Sequence, residues 1–213
     1  GANQVIANWR PAFDIDPAWP LLKVGEICDV NPEAGVPTAL FGNAVAFTYL
    51  DIASVSNGTG IVDYGNVIST DNAPSRARRI VRTNDVLLST VRPNLKAFTL
   101  LRNPPVHTIA STGFAVLRPK EGIRSDFLIY MLFDDHVVDQ MTSRMGKGSY
   151  PSINQSDVQQ LLIPLPSLDV QQRMAAQIEQ EQQAVEGCRT LVSTYEAKIA
   201  ATVARLWGLE PDA

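Results

Sequence analysis

From Ser167 to Trp207 the chain has no proline and one glycine, Gly187. Nothing there stops a helix, whereas the residues just before forbid one. The apolar run Leu161–Ile163 meets Pro164 and Pro166. Proline fixes its own φ and pushes the preceding residue toward extended geometry, so Leu165 between them is expected to be extended. The chain then turns at Ser167–Asp169. A strand, a rigid extended joint and a long helix is the simplest reading, and the joint is expected to aim the helix away from the preceding domain. At 1.5 Å per residue such a helix is roughly 55–60 Å long, against about three turns for an ordinary globular helix.

That helix carries a seam. Alternate steps of four and three from Met174 give Ile178, Glu181, Val185, Cys188, Val192, Tyr195, Ile199, Thr202 and Leu206. A repeat averaging 3.5 residues keeps one stripe facing a partner helix, as in a coiled coil. Glu181, Cys188, Thr202 and Gly187 interrupt it, and the alternative is an ordinary helix packed on its own domain. The pairing surface expected from the seam is Met174, Ile178, Val185, Cys188, Val192, Tyr195, Ile199 and Leu206.

Upstream, short strands come first and helices later. Residues 1–18 read as a lead-in arm, Leu21–Val30 as a strand or short helix, and Pro32–Asn43 as loop. Ala44–Ala53 and Ile61–Ile68 read as strands around a turn at Asn57-Gly58-Thr59-Gly60. Asp85–Val91 is apolar, β-branched and short, which suits a buried strand; Phe98–Leu101 and Gly113–Leu117 follow. Ser125 can cap a helix over Asp126–Met145, with Leu128, Met131, Leu132, Val138 and Met141 inward and Gly146 as its stop. The order predicts an α+β fold: a mixed, strand-rich domain over residues 1–166 followed by a long coiled-coil-forming helix over residues 167–213.

The 213 residues suit one domain plus an appendage, and no apolar run approaches the roughly 20 residues a membrane span needs. No signal peptide is recognisable. Two distant cysteines, Cys28 and Cys188, make no disulfide framework and suit the cytoplasm. With His107 and His136 they have no usual zinc spacing, and Asp14 and Asp16 in a Pro-rich arm read as solvated.

The net charge is −4, but its distribution is uneven. From Ala73 to Arg102, Arg76, Arg78, Arg79, Arg82, Arg92, Lys96 and Arg102 face Asp85 alone, a net +6 that leaves −10 elsewhere. A positive face on an acidic body steers a polyanion to one place; the alternative is a solvated charged surface. Six arginines to one lysine favour recognition, because the planar guanidinium pairs bidentately with guanine edges or phosphates. Three segments are the candidates. Arg92-Pro93-Asn94-Leu95-Lys96 follows a buried strand, and Arg92 and Asn94 are residue types that read guanine and adenine edges; the alternative is a plain strand-to-strand turn. Gly146-Lys147-Gly148-Ser149-Tyr150 offers close backbone approach to a phosphate, with Lys147, Ser149 and Tyr150 as contacts, or Tyr150 is a core anchor. Pro74–Arg79, with Arg76, Arg78 and Arg79, suits phosphate contact more than base contact, and Arg82 is a further candidate DNA contact.

Catalytic patterns are weaker. Asn103-Pro104-Pro105-Val106 approaches the Asn/Asp-Pro-Pro-aromatic motif of adenine-N6 methyltransferases, but Val106 cannot stack on a flipped base, so a turn is expected. No serine lies in a Gly-x-Ser-x-Gly elbow, and no Gly-rich cofactor loop follows a strand. Neither cofactor nor metal is expected.

Five segments also carry a family resemblance: Trp19-Pro20-Leu21-Leu22-Lys23-Val24-Gly25-Glu26-Ile27, Tyr49-Leu50-Asp51-Ile52, Asp85–Arg92, Gly148–Asn154, and Ile163-Pro164-Leu165-Pro166 with Gln171-Gln172 and the heptad helix. In this order the chain resembles specificity subunits of type I restriction–modification systems. Asn84 stands where the resemblance leads one to expect glycine; asparagine tolerates left-handed backbone, so the turn can survive. Such subunits usually have two recognition domains and two spacer helices, and this chain has length for one of each. The resemblance implies a non-catalytic module that reads double-stranded DNA and positions an N6-adenine methyltransferase subunit or domain, with a restriction subunit as a possible further partner. It also implies that two copies pair through their helices. A protein–protein adaptor dimerising through the helix and a degenerate enzyme are the competing expectations.

Overall fold

The apolar run predicted as a buried strand is an inner strand of its sheet. In the computed structural model, which describes residues 16–146 and 151–207, Val86–Ser89 (β6) is buried along its whole length. It pairs antiparallel with Phe98–Leu100 (β7) on one side and Phe114–Pro119 (β9) on the other, and β9 also pairs with Cys28–Val30 (β2). The resulting sheet, β2-β9-β6-β7, is antiparallel throughout. A second sheet runs in the order Val67–Ser69 (β4), Ala46–Leu50 (β3), Thr108–Ser111 (β8), Ala77–Ile80 (β5), with β3 and β8 parallel. Leu50, Leu87, Leu101, Phe114 and Val116 form one buried cluster drawn from both sheets. Phe47, Tyr49, Ala77 and Ile109 form another. The fold is α+β.

Leu21–Val30 contains both alternatives read from the sequence: Leu21–Lys23 (β1), a helical turn Val24–Ile27 (α1), then β2. β1 pairs with Leu162–Pro164 (β10), and Leu165 extends the pairing by donating its N–H to Pro20 O at 2.9 Å. The joint between the prolines is therefore tied to the start of the domain.

Several expectations are corrected. Pro32–Asn43 is not all loop: Pro37–Phe41 (α2) is helical, with proline at its start and Gly42 at φ 91° as its stop. The strand expected over Ile61–Ile68 shrinks to β4 and a single bridge, Val55 to Val62. The second half of Pro74–Arg79 enters a strand, Ala77–Ile80, which pairs with β8. The helix expected over Asp126–Met145 is two, Ser125–Phe133 (α3) and Asp135–Arg144 (α4). Asp134 breaks it: at φ −62°, ψ 137° its carboxylate accepts from His136 N at 2.9 Å, a cap that outcompetes helix continuation. Ser125 does not cap α3; it donates to Asn84 O at 2.7 Å. The expected inward residues Leu128, Met131, Leu132, Val138 and Met141 are all buried. Asn84 has φ 69°, the left-handed geometry anticipated for it.

A further short helix, Gln155–Gln159 (α5), begins on a reciprocal cap in which Asn154 and Asp157 bond each other's backbone N–H. The last helix, Leu168–Leu206 (α6), has 39 residues, about 58 Å. Two compact units divide the chain, Asp14–Ala175 and, in its described part, residues 176–207. The first turns of α6 belong to the former. There Gln171 is fully buried: its amide donates to Gly122 O and Pro166 O (both 2.9 Å) and accepts from Arg124 N (3.0 Å).

Candidate nucleic-acid interface

The Arg92–Lys96 loop joins β6 to β7 through a tight turn at Pro93–Leu95. Both flanking residues are left-handed, Arg92 at φ 47° and Lys96 at φ 54°. Non-glycine residues take this geometry at a cost, so surrounding bonds must hold it. Arg92 N donates to Pro151 O (2.9 Å), Gly58 N donates to Lys96 O (3.0 Å), and Lys96 Nζ donates to Phe133 O (3.0 Å) and Asp135 (2.6 Å). The loop is clamped from three sides, with Arg92 and Asn94 exposed.

One clamp, Pro151, directly follows the second candidate segment. Val91 bridges Ser152, and Ile153 N donates to Thr90 O at 2.9 Å. The chain leaving the Gly146–Tyr150 segment therefore runs against the Arg92 loop. Lys147, Ser149 and Tyr150 themselves lie outside the described residues.

The arginine-rich stretch is split between two ends of the sheets. Thr112 N donates to Arg76 O, and Thr90 donates to the neighbouring Gly113 O through both N–H and hydroxyl, each at 2.9 Å. Arg76 thus lies at the Arg92 end and is exposed. A Cβ on Gly113 would come within 2.9 Å of Ile52 Cδ1, so a side chain there requires that methyl to shift. Along β5, Arg78 is half-buried and bonds Ala77 O, while Arg79 is half-buried with a shielded, unpartnered Nε. Burial lowers the Arg79 guanidinium's basicity. Arg82 lies at the opposite end, where it pairs with Glu33 at 2.7 Å.

That opposite end is an ion network. Arg118, unremarked in the sequence, forks onto buried Asp85 through two bonds of 2.8 Å and also pairs with Glu33. Hydrogen bonding from Arg118 first, then from Arg82, holds the Glu33 carboxyl below its ordinary range, and the Arg118 guanidinium is raised chiefly by Asp85. A cleft of about 460 Å3 lies there, lined by Arg82, Arg102, Arg118, Arg124, Asp85 and Asp126. Arg124 is matched by Asp126 at 2.6 Å. Arg82 pairs with Glu33 and Lys96 with Asp135, both acids of the domain itself.

The Arg92 end also holds a cleft the sequence did not suggest. About 500 Å3 in volume, it lies between residues 52–57 and 91–97. The Asn57-Gly58 turn was legible as a turn, but its apposition to the Arg92 loop depends on the Gly58–Lys96 bond.

Asn103–Val106 is a turn between β7 and β8, closed by a 2.6 Å bond from the Thr108 hydroxyl to Pro105 O, with Val106 in solvent. Among the described residues no group of three or more His, Cys, Asp or Glu could hold a metal ion. No helix there is long and apolar enough to cross a membrane.

Along α6, Met174 and Ile178 of the expected seam are buried, and Val185 and Val192 are half-buried. Cys188 is exposed, and Tyr195, Ile199 and Leu206 are 59–80% exposed. Leu191 and Val203, which the seam stepping skips, are exposed as well, so the distal apolar stripe steps mainly by four.

The family model for the type I restriction modification DNA specificity domain matches residues 18–186. The chain is 23% identical over 149 residues to the type I restriction enzyme HindI specificity subunit of Haemophilus influenzae, covering 68% of this chain and 32% of that one. It is 22% identical over 196 residues to the MjaIX specificity subunit of Methanocaldococcus jannaschii, covering 90% and 44%. Among solved structures, the HsdS subunit from Thermoanaerobacter tengcongensis superposes with TM-score 0.73 at 32% identity, over 89% of this chain and 48% of that one. The type I S subunit from M. genitalium shares the fold at TM-score 0.57 and 14% identity, over 95% and 50%. The match spans 32% and 44% of the length of these two curated relatives.

Proposed function

Since the chain belongs to the type I restriction–modification DNA specificity family, we propose that it is a sequence-recognition module for double-stranded DNA. Residues 1–166 act as the target-recognition domain and residues 167–213 as a spacer and pairing helix. The observation that carries this reading is the convergence, at one end of the sheets, of exposed Arg76, the clamped Arg92–Lys96 loop and the segment leaving Gly146–Tyr150. A rigid loop with an exposed fork and amide loses little entropy on binding. Arg92 and Asn94 read bases, Arg76 holds a phosphate, and the engaged Arg82 and Lys96 keep the scaffold in shape.

The module has no catalysis of its own. It directs an N6-adenine DNA methyltransferase subunit or domain, and where present a restriction subunit, to its site. Two copies pair antiparallel through the exposed stripe of α6, giving two-fold symmetry and a bipartite palindromic target. The full chain incubated with a pool of random duplexes tests the reading. Enrichment of one sequence with two related halves is expected, and S-adenosylmethionine should neither bind the isolated chain nor be consumed by it. A pool that emerges unenriched contradicts the proposal.

A further inference from the structure

The cleft beside the Arg92 loop has a chemistry of its own. Its walls are aliphatic: Ile52, Ala53 and Val55 on one side, Val91, Leu95 and Ala97 on the other. Among the described residues no aromatic ring lines it. Its polar edge is Ser56, Asn57 and Arg92. Leu95 is 44% exposed on a loop whose two hinge residues are left-handed. A free apolar side chain gains nothing from water, and the loop's strained hinges are held by bonds to three other segments. The loop therefore presents Leu95 in one fixed position.

Resting on the DNA-recognition reading above, we propose that this cleft reads thymine, by enclosing its C5-methyl group in the major groove against Leu95 and Ile52. Duplex DNA is the occupant that fits both halves of the site. Arg76 and Arg92 bring two cations to this end of the domain, while the base-pair edge that bears an apolar group in the major groove is that of thymine. The nearby Arg92 fork and Asn57 amide supply the polar partners that a neighbouring base edge needs.

The experiment uses the full chain and the duplex enriched from the random pool, resynthesised with deoxyuridine replacing thymidine one position at a time. Uracil keeps every hydrogen-bonding group and lacks only the methyl. At one thymine per half-site, binding should weaken about three- to five-fold, the size of one methyl-sized group lost from an apolar contact. Leu95→Ala should bind the thymine and uracil duplexes alike, and Leu95→Met should restore the difference. If uracil is neutral at every position while the chain still prefers its duplex to random DNA, or if the enriched sequence lacks thymine, the assignment is overturned and DNA recognition stands. Equal weakening of both duplexes by Leu95→Ala, with the wild-type difference kept, also overturns it, since Leu95 would then act by packing. A chain that prefers no sequence overturns both readings.

Discussion

Asp85 is almost wholly buried: the Arg118 guanidinium grips both its oxygens and the backbone N–H of Arg82 donates to one of them. Removing a partner from such a pair leaves a charge without compensation. Arg118→Met should therefore destabilise the domain by about 3–5 kcal/mol in urea unfolding. Glu33 supplies a pH signature. Its carboxyl is held below the ordinary range, chiefly by Arg118, so its contribution is present above the unfolded carboxylate value of about 4.3 and lost as pH falls through the lowered folded value. The stability gap between wild type and Glu33→Gln should be open at pH 7 and close on the acid side; a gap that widens toward acid contradicts the pairing. The two thiols differ as sharply. Burial pushes Cys28 up to about 12, whereas Cys188 is exposed. At pH 8 a thiol reagent should reach Cys28 only on unfolding.

At the scale of elements, what was legible in the sequence follows from where the signal lies. β6 was readable because four consecutive buried residues carry it, and the left-handed turn before it because asparagine is one of the few residues that tolerates that backbone. β5 was hidden by its arginines: it is an edge strand, where charge is tolerated, and only Ala77 and Ile80 mark its apolar side. β8 is Thr-Ile-Ala-Ser, too small and polar to stand out, and it is a strand because β3 and β5 flank it. The division of the basic stretch between two ends was equally hidden. It depends on β9 bringing Gly113 beside Thr90, a long-range register that no local pattern encodes. Local reading found the Arg92 loop but not its neighbours. The joint before α6 shows the same limit: the prolines were visible, and the threefold bonding of Gln171 was not. Gln171→Leu leaves two carbonyls and one N–H unmatched and should cost about 2–3 kcal/mol. A loss under a few tenths would mean that the joint, not Gln171, holds the first turns of α6.

For the whole molecule, the proposed function divides two tasks, assembly by the long helix and reading by the basic end. Distal α6 exposes Leu191, Tyr195, Ile199, Val203 and Leu206, the stripe through which pairing is proposed. Val192→Asp with Ile199→Asp puts charge into that seam and should convert a dimer to a monomer by light scattering, with the melting of the recognition domain unchanged. A wild-type chain that is monomeric at high concentration contradicts self-pairing. The central claim, that one end of the sheets reads DNA, is tested most directly by comparing three arginine-to-alanine variants. Binding of the full chain to its enriched duplex and to random DNA would be measured across a salt series. Arg76→Ala should weaken both duplexes alike and flatten the log–log salt slope by about 0.9. Arg92→Ala should cost roughly 1–3 kcal/mol on the enriched duplex alone. Arg102→Ala, an equal change of charge at the opposite end, should leave both nearly unchanged. Equal losses for all three, or a larger loss for Arg102 than for Arg76, would contradict the account.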